Sequence, residues 1–210
     1  MKPTDYPICW DSLHKQWVSF IETGAVEVSD GVRLDPTVLR SWQRCVPRLD
    51  TRQFPRLVKL ASKTFDTSLK NHEELLTISR PFLEDIYHFL EGAYCTIVLT
   101  DGTGCVLETE GDLIHVLFSP NTVTQQTYEV LNELTKGMRL GVIWSEEHMV
   151  TNAIGLTPIT AIPAQVVGAE HYHEAYHSLA TSAAPIYDAN GRIVGIIGII
   201  EPAQAVTRHS

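Results

Sequence analysis

The C-terminal part of the chain carries the pattern that decides the fold: GVIWSEEHMVTNAIGLTPITAIPAQVVGAEHYHEAYHSLATSAAPIYDANGRIVGIIGIIEP, from Gly141 to Pro202. Its last part has two apolar runs on either side of Ala189-Asn190-Gly191, and Asn-Gly between such runs is typical of a tight β-hairpin. Its first part has Trp144 followed by Ser145, a capping residue, and then two glutamates that suit the first turn of a helix. The stretch therefore predicts a β-hairpin that is entered through a short helix and a histidine-rich crossing.

A second hairpin precedes this stretch. Residues 93–111 read AYCTIVLTDGTGCVLETEG, in which an Asp-Gly turn joins two alternating apolar segments. Between the hairpins we expect a helix at 122–137, a short strand at 138–144 and a β segment broken by Pro163, which suits the edge of a sheet. Residues 92–203 are therefore predicted to form an α+β domain with a mainly antiparallel sheet.

The N-terminal part is predicted to be helical. Apolar residues recur at helical spacing in 8–22, and the next helix covers Asp35–Cys45, with Asp35 as its N-cap and proline directly after it. Residues 55–91 contain two further helical patterns, the second of which we expect to begin at Ser79. We therefore assign residues 1–91 to a helical segment that packs on the rest of the chain.

Charge and hydropathy argue against nucleic-acid binding, membrane insertion and secretion. The net charge of −9 is unfavourable for a nucleic-acid-binding chain, although residues 31–80 hold ten Lys and Arg against five Asp and Glu. Arginines recur every fourth residue from Arg40 to Arg56, and we expect them to be solvated and to pair with acids of the second half. No apolar run is long enough to span a bilayer, and the N-terminus lacks the apolar core of a signal peptide. We expect a cytoplasmic protein without membrane contact.

Four motifs occur in an order that is typical of one bacterial family. They are VRLDPTVLRSWQRC (32–45), WSEEHMVTNAIG (144–155), VVGAEHYHEAYH (166–177) and SAAPIYDANGRIVGIIGI (182–199). With them the chain resembles, over roughly residues 30–200, the N-terminal sensory region of bacterial enhancer-binding transcription activators of the acetoin-catabolism and dihydroxyacetone-kinase type. In that family the sensor is a GAF domain, preceded by a helical segment that holds the Ser-Trp-Gln-Arg-Cys signature.

The resemblance implies a GAF-like fold with roughly six antiparallel strands flanked by helices. It implies a non-catalytic sensor without a cofactor or a metal, which binds an unknown small-molecule effector or docks a regulatory protein. It also implies a homodimer formed through the flanking helices. The ATPase and DNA-binding domains of the family are not in this sequence, so we expect no direct nucleic-acid binding by this chain. We expect either a sensor fragment or a stand-alone sensor whose output lies in another protein.

The predicted ligand pocket lies between the sheet and the 144–155 helix. Its proposed ligand-binding residues are Trp144, Asn152, Thr181 and Tyr94. Two departures from the family flank this pocket: Val150 replaces a usual glycine, and Leu179-Ala180-Thr181 replaces Trp-Thr-Cys. Structural alternatives stay open, because Trp144 also suits a core position and Asn152 also suits a helix end.

His173-Glu174-Ala175-Tyr176-His177 matches the HExxH pattern of zinc hydrolases, which is the main alternative function. That chemistry needs both imidazoles on one helix face, a third ligand, and Glu174 as the general base. The candidate third ligands are His171, His148 and Glu170. Gly168 before the motif and a strand from about Leu179 leave little room for such a helix, so structural histidines are the favoured interpretation.

Two more alternatives concern the cysteines and a ligand-free domain. The four cysteines lack metal-binding spacing, and some GAF proteins are methionine-sulfoxide reductases that need an activated thiolate. Cys95 and Cys105 flank the first hairpin, but neither has an adjacent basic residue in sequence. We therefore expect reduced, partly buried thiols. A protein-interaction module without any ligand is the last alternative.

Overall fold

The computed structural model describes residues 9–26, 34–47, 50–51, 56–90, 95–111, 136 and 138–204. Within these ranges the helices are α1 (Trp10–Thr23), α2 (Pro36–Cys45), α3 (Ser62–Asn71), α4 (Glu73–Phe89), α5 (Glu146–Met149) and α6 (Ala153–Thr160). The strands are β1 (Thr96–Asp101), β2 (Val106–Gly111), β3 (Ala164–Val167), β4 (Leu179–Tyr187) and β5 (Ile193–Pro202). Two 3₁₀ turns, Gly168–Glu170 and Glu174–Tyr176, connect β3 to β4.

The strands form one antiparallel sheet in the order β2-β1-β5-β4-β3. This confirms the α+β class with an antiparallel sheet, with five strands in the described residues where roughly six were expected. The expected strand at 138–144 contributes only two isolated bridges, Cys105 with Ile143 and Lys59 with Val142. β3 lies at the edge of the sheet, as Pro163 suggested, but the expected β segment begins only at Ala164, because Ile159 and Thr160 end α6. The helix predicted at 122–137 lies outside the described residues apart from residue 136.

The two faces of the sheet carry separate cores, as the alternation of β5 requires. Ile196 and Ile200 point to the face covered by α6 and pack with Trp144. Ile197 and Ile199 point to the opposite face, where α4 packs on the sheet. Both faces are therefore covered by helices over at least part of the sheet.

Two glycines allow α5 and α6 to pack tightly. A Cβ atom on Gly155 would lie 2.5 Å from the backbone nitrogen of Glu146, and one on Gly198 would lie 2.8 Å from Ile154 Cγ1. The prediction that Gly155 ends a single helix is therefore wrong. The chain forms two short helices, and Gly155 lies inside the second because only glycine fits so close to α5.

The first two helices lie close to their predicted positions. The Asp35 carboxylate accepts a hydrogen bond from Thr37 N at 2.6 Å, and Pro36 is the first residue of α2. The predicted helix start at Ser79 is wrong, because α4 begins at Glu73 and continues through Pro81. Pro81 has no N–H to donate to the carbonyl of Thr77. Both residues are exposed, so water can bind that carbonyl instead.

The helical segment packs directly on the sheet domain. Residues of α1 and α2, among them Trp17 and Trp42, share one apolar cluster with Val150 and Tyr172. Both indoles also donate hydrogen bonds to carbonyls beyond β3: Trp17 Nε1 to Tyr172 O at 2.9 Å and Trp42 Nε1 to Glu170 O at 2.7 Å. A domain boundary near residue 91 therefore stays a prediction. None of the helices in the described ranges is long and apolar enough to cross a membrane.

Candidate functional site

The structure brings three of the four predicted ligand-binding residues into one buried region. Trp144, Asn152 and Thr181 are all nearly inaccessible to solvent, whereas Tyr94 lies outside the described residues. The Asn152 side chain donates to Trp144 O at 3.3 Å and to Val150 O at 2.9 Å, and its oxygen accepts from Gly155 N at 2.8 Å. Asn152 thus acts as the N-cap of α6, and its ligand-binding role stays a prediction.

Thr181 belongs to a hydrogen-bonded chain that fixes the tautomer of His171. The Thr181 hydroxyl oxygen accepts from Ala153 N at 3.0 Å and lies 3.1 Å from His171 Nε2. His171 Nδ1 lies 3.0 Å from the Gly168 carbonyl, which can only accept, so Nδ1 carries the proton and Nε2 accepts from Thr181. Burial lowers the pKa of His171 to about 3, so the imidazole in this series of hydrogen bonds is neutral.

The HExxH motif does not form the helix that a zinc hydrolase needs. Residues 174–176 make a single 3₁₀ turn, for which His173 Nδ1 accepts the N–H of Ala175 at 3.1 Å. His177 Nε2 donates to the His171 carbonyl at 3.2 Å, and burial lowers its pKa to about 4. In the part of the chain that the structure describes, no group of three His, Cys, Asp or Glu residues is placed to hold a metal ion. The contacts of His173 and His177 therefore support a structural role rather than metal binding.

A polar network joins α2 to the start of α5. Arg44 Nε and Nη2 each donate to a different oxygen of the Glu146 carboxylate at 2.7 Å, a bidentate pair. Ser41 Oγ donates to Glu146 Oε2 at 2.6 Å and lies 2.7 Å from Thr151 Oγ1. Glu146 is only 3% exposed, and the hydrogen bond from Arg44 raises the pKa of that guanidinium. For Arg44, the expected pairing with an acid of the second half is confirmed.

Val150 adopts an unusual backbone conformation between α5 and α6. Its φ is 51° and its ψ is −156°, a region that is occupied almost only by glycine. Its side chain is buried in the apolar cluster with α1 and α2. The sequence alone shows that valine replaces a usual glycine here, but it does not show the backbone strain that results.

Three of the four cysteines are buried thiols whose reactivity is lowered by their surroundings. Cys45, Cys95 and Cys105 are buried, and burial raises the pKa of each thiol, for Cys105 to about 12. A catalytic cysteine needs the opposite shift. The geometry therefore gives no support to a sulfoxide reductase built on Cys95 and Cys105.

Glu170 is a titratable group whose environment the sequence did not reveal. Its Oε2 accepts a hydrogen bond from Val167 N at 2.8 Å, and burial raises the pKa of its carboxyl to about 7. The backbone carbonyl of Glu170 also accepts the hydrogen bond from Trp42 Nε1. Glu170 therefore lies where β3, α2 and the histidine-rich crossing meet.

A cavity of about 620 Å³ lies beside the first half of α4, at the tip of the β4–β5 hairpin. Its apolar lining residues are Leu75, Ile78, Ile186, Tyr187, Ile193 and Val194. Glu74 and Asp188 lie among its polar lining residues. This cavity is distinct from the predicted pocket between the sheet and α6. It could not be predicted from the sequence, because its walls come from segments about a hundred residues apart.

The chain is similar to regulators of bacterial metabolic operons. It is 29% identical over 196 residues to the acetoin dehydrogenase operon transcriptional activator AcoR of Bacillus subtilis, covering 92% of this chain and 29% of the relative. It is 27% identical over 169 residues to the glycerol metabolism operon regulatory protein of Citrobacter freundii, covering 80% and 24%. It is 25% identical over 181 residues to the PTS-dependent dihydroxyacetone kinase operon regulatory protein of Escherichia coli, covering 85% and 26%. The chain thus spans about a quarter of the length of these relatives.

A solved structure shares the fold. A chain of the crystal structure of the E. coli DhaR(N)–DhaL complex matches with a TM-score of 0.69 at 24% identity, covering 81% of this chain and 53% of that one. Together with the relatives, this confirms the resemblance to regulator-type sensory domains. The family model described as "MimR, N-terminal domain" matches residues 12–207. The chain therefore belongs to the MimR N-terminal domain family.

Proposed function

We propose that this chain is the non-catalytic input domain of a cytoplasmic bacterial transcription regulator that controls a metabolic operon. In this proposal the domain acts as a homodimer and receives its signal from a small effector or from a docked regulatory protein. Support comes from the relatives, which are operon regulators, and from the arrangement of the Ser41, Arg44, Glu146 and Thr151 network.

The Arg44–Glu146 pair is the observation that carries the proposal. It connects α2 of the helical segment to α5, directly beside Val150, Asn152 and the Trp144 region. Because Glu146 is buried, moving α5 relative to α2 would leave a buried charge without its partner, which is strongly unfavourable. The pair therefore opposes gradual motion of α5 against α2, and we propose that a signal acts by breaking this contact.

A small effector is one possible input. Trp144, Asn152, Thr181 and Tyr94 remain the proposed contacts. The names of the relatives point to small hydroxy and keto compounds such as glycerol, acetoin and dihydroxyacetone. Such a ligand would have to replace the hydrogen bonds that Asn152 and Thr181 already make within the protein.

Docking of a regulatory protein is the second possible input. It is favoured because Asn152 and Thr181 already have hydrogen-bond partners inside the protein. The DhaR(N)–DhaL complex is a precedent by its name for a regulator N-terminal region that binds another protein. Thermal-shift titration with glycerol, acetoin and dihydroxyacetone separates the two inputs. A saturable rise in melting temperature supports the effector, and its absence with all three compounds favours docking.

The relay is tested in the regulator that carries this domain. Glu146→Gln removes the charge that Arg44 binds, and Glu147→Gln makes the same chemical change at the exposed neighbouring position. The readout is operon transcript with and without the inducing carbon source. We expect Glu146→Gln to change the induction ratio at least tenfold and Glu147→Gln to leave it unchanged. Equal induction in both variants would contradict the proposal, provided that circular dichroism shows both to be folded.

A further inference from the structure

The cavity of about 620 Å³ beside α4 is separate from the region around Asn152. It lies between the first half of α4 and the tip of the β4–β5 hairpin. Further from the tip the helix and the hairpin are in close contact, since a Cβ atom on Gly195 would lie 2.7 Å from Leu75 Cδ2. The cavity lies on the tip side of this contact, where the β4–β5 register shifts between Ile186 and Tyr187. Bulges of this kind bend a strand and are common next to active sites.

The size and the walls of the cavity suit a small organic molecule. Ligand pockets in proteins have volumes of about 300–1,000 Å³ and are mainly apolar, with a few polar groups that orient the ligand. About half of the lining residues here are apolar, and two of them have much of their surface open to solvent. Ile78 is 57% exposed and Tyr187 is 46% exposed. These open apolar surfaces can bury a ligand part of about the size of a phenyl ring.

The Ser79 hydroxyl is a buried polar group that lines the cavity and has no hydrogen-bond partner among the described residues. The residue is only 9% exposed. A hydroxyl on a helix usually donates to a carbonyl one turn earlier, as Thr77 Oγ1 does to Glu73 O at 2.7 Å. A buried hydroxyl without a partner is unfavourable. A polar group of a ligand in the cavity would supply the partner that the protein does not.

The other polar groups of the cavity are mainly hydrogen-bond acceptors, and two of them carry negative charge. His72 Nδ1 lies 2.8 Å from the Ser68 carbonyl, so in the neutral ring Nδ1 carries the proton and Nε2 is an acceptor. Glu74 comes from the helix wall and Asp188 from the hairpin wall. The hydrogen bond from Arg192 N lowers the pKa of Asp188, which keeps that carboxylate ionised. None of the lining residues in the described part of the chain is lysine or arginine.

We propose that this cavity binds a small organic cation, in which an ammonium group is joined to an apolar body of about the size of a phenyl ring. An ammonium has three donors and no acceptor, which complements a wall of acceptors. A ligand with a carboxylate would be repelled by Glu74 and Asp188. The site is separate from the predicted pocket at Trp144, Asn152 and Thr181, and the inference does not depend on the proposed function.

The first test compares three probes that share an apolar body and differ in charge. They are phenethylammonium, phenethyl alcohol and phenylacetate, titrated into the wild-type chain by calorimetry at about pH 7.5, where a primary amine is protonated. We expect phenethylammonium to bind at least tenfold more tightly than phenylacetate, with the alcohol between them. The inference is overturned if phenethylammonium shows no saturable binding below about 10 mM, or if phenylacetate binds equally well.

The second test locates the ammonium by removing one charge. Glu74→Gln keeps the shape of the side chain, and Glu73→Gln makes the same change at an exposed neighbour that does not line the cavity. We expect Glu74→Gln to raise the Kd of phenethylammonium about three- to fivefold and to leave that of phenethyl alcohol unchanged. Glu73→Gln should change neither Kd. Equal effects of the two variants would show a general charge effect and would contradict the site.

The third test uses the unpaired hydroxyl. Ser79→Ala should leave the stability of the free protein undiminished, because the hydroxyl has no partner in the protein, and should weaken the binding of phenethylammonium at least threefold. Thr77→Ala removes a hydroxyl from the exposed face of the same helix and should leave binding unchanged. Binding to Ser79→Ala as tight as to the wild type would overturn the inference. So would a clear loss of stability in the free variant, since the hydroxyl would then have a partner within the protein.

Discussion

Replacing Val150 by alanine and by glycine tests the backbone strain between α5 and α6, because the strain decides which of the two variants is more stable. With a φ of 51° and a ψ of −156°, a β-branched residue is an outlier, and such conformations cost about 1–3 kcal/mol. Alanine keeps the Cβ atom and hence the strain, whereas glycine removes it. Elsewhere in a structure, glycine is less stable than alanine by about 0.5–1 kcal/mol.

The magnitude follows from the strain and the buried groups. Val150→Ala removes two buried methyl groups from the α1–α2 cluster and should cost about 2 kcal/mol. Val150→Gly removes one more carbon, about 0.8 kcal/mol, but releases the strain. With strain near the upper end of its range, glycine should be more stable than alanine by about 1 kcal/mol, which is about 2–4 °C in melting temperature for a domain of this size.

Val38 provides the matched control. It is buried in the same apolar cluster but lies in α2, where glycine carries its usual penalty. Thermal unfolding followed by circular dichroism should therefore rank glycine above alanine at position 150 and below alanine at position 38. The same order at both positions, with alanine more stable, would refute the assigned strain.

Three further predictions concern buried polar groups and close packing. Asn152→Ala should destabilise the domain by about 3 kcal/mol in urea unfolding, because it removes a helix cap and leaves two buried carbonyls without donors; a loss below about 1 kcal/mol would contradict this role. Gly155→Ala should cost about 2 kcal/mol, because the added Cβ must push α5 away; unchanged stability would show that the contact relaxes freely. Stability should fall as the pH drops from about 6.5 to 4.5, because His171 and His177 have lowered pKa values when folded and bind protons first when unfolded. Glu170 acts in the opposite sense, because its raised pKa makes the folded state hold a proton between about 4.5 and 7. About one proton more is then bound by the unfolded state, so stability should fall by roughly 1 kcal/mol per pH unit. A flat or rising stability in this window, measured by urea unfolding at each pH, would contradict the neutral histidines.

Local signals in the sequence predicted most elements. Asp35 before proline fixed the start of α2, and Asn190-Gly191 placed the turn between β4 and β5, because caps and turns depend on neighbouring residues. Where tertiary contacts decided, the predictions were wrong. Ser79 and Pro81 suit the start of a helix but lie within α4, and Gly155 suits the end of a helix but lies within α6, because packing partners outside each segment outweigh these local signals.

The functional contacts depended on long-range pairing that the sequence could not specify. The arginine spacing predicted that basic residues would form ion pairs with acids. Nothing in the sequence near Arg44 identified Glu146 as its partner, because Glu146 is 102 positions away. The cavity beside α4 likewise needs both the helix and a distant hairpin. The HExxH motif is the converse case, in which a local match does not form the helix that its chemistry requires.

The central claim is that this domain supplies the input to a transcription regulator of a metabolic operon. The most direct measurement compares genome-wide transcripts, on two carbon sources, between cells with the intact regulator and cells whose regulator lacks residues 9–204. We predict that at least one operon responds to the carbon source only when the domain is present. The same response in both strains would contradict the account.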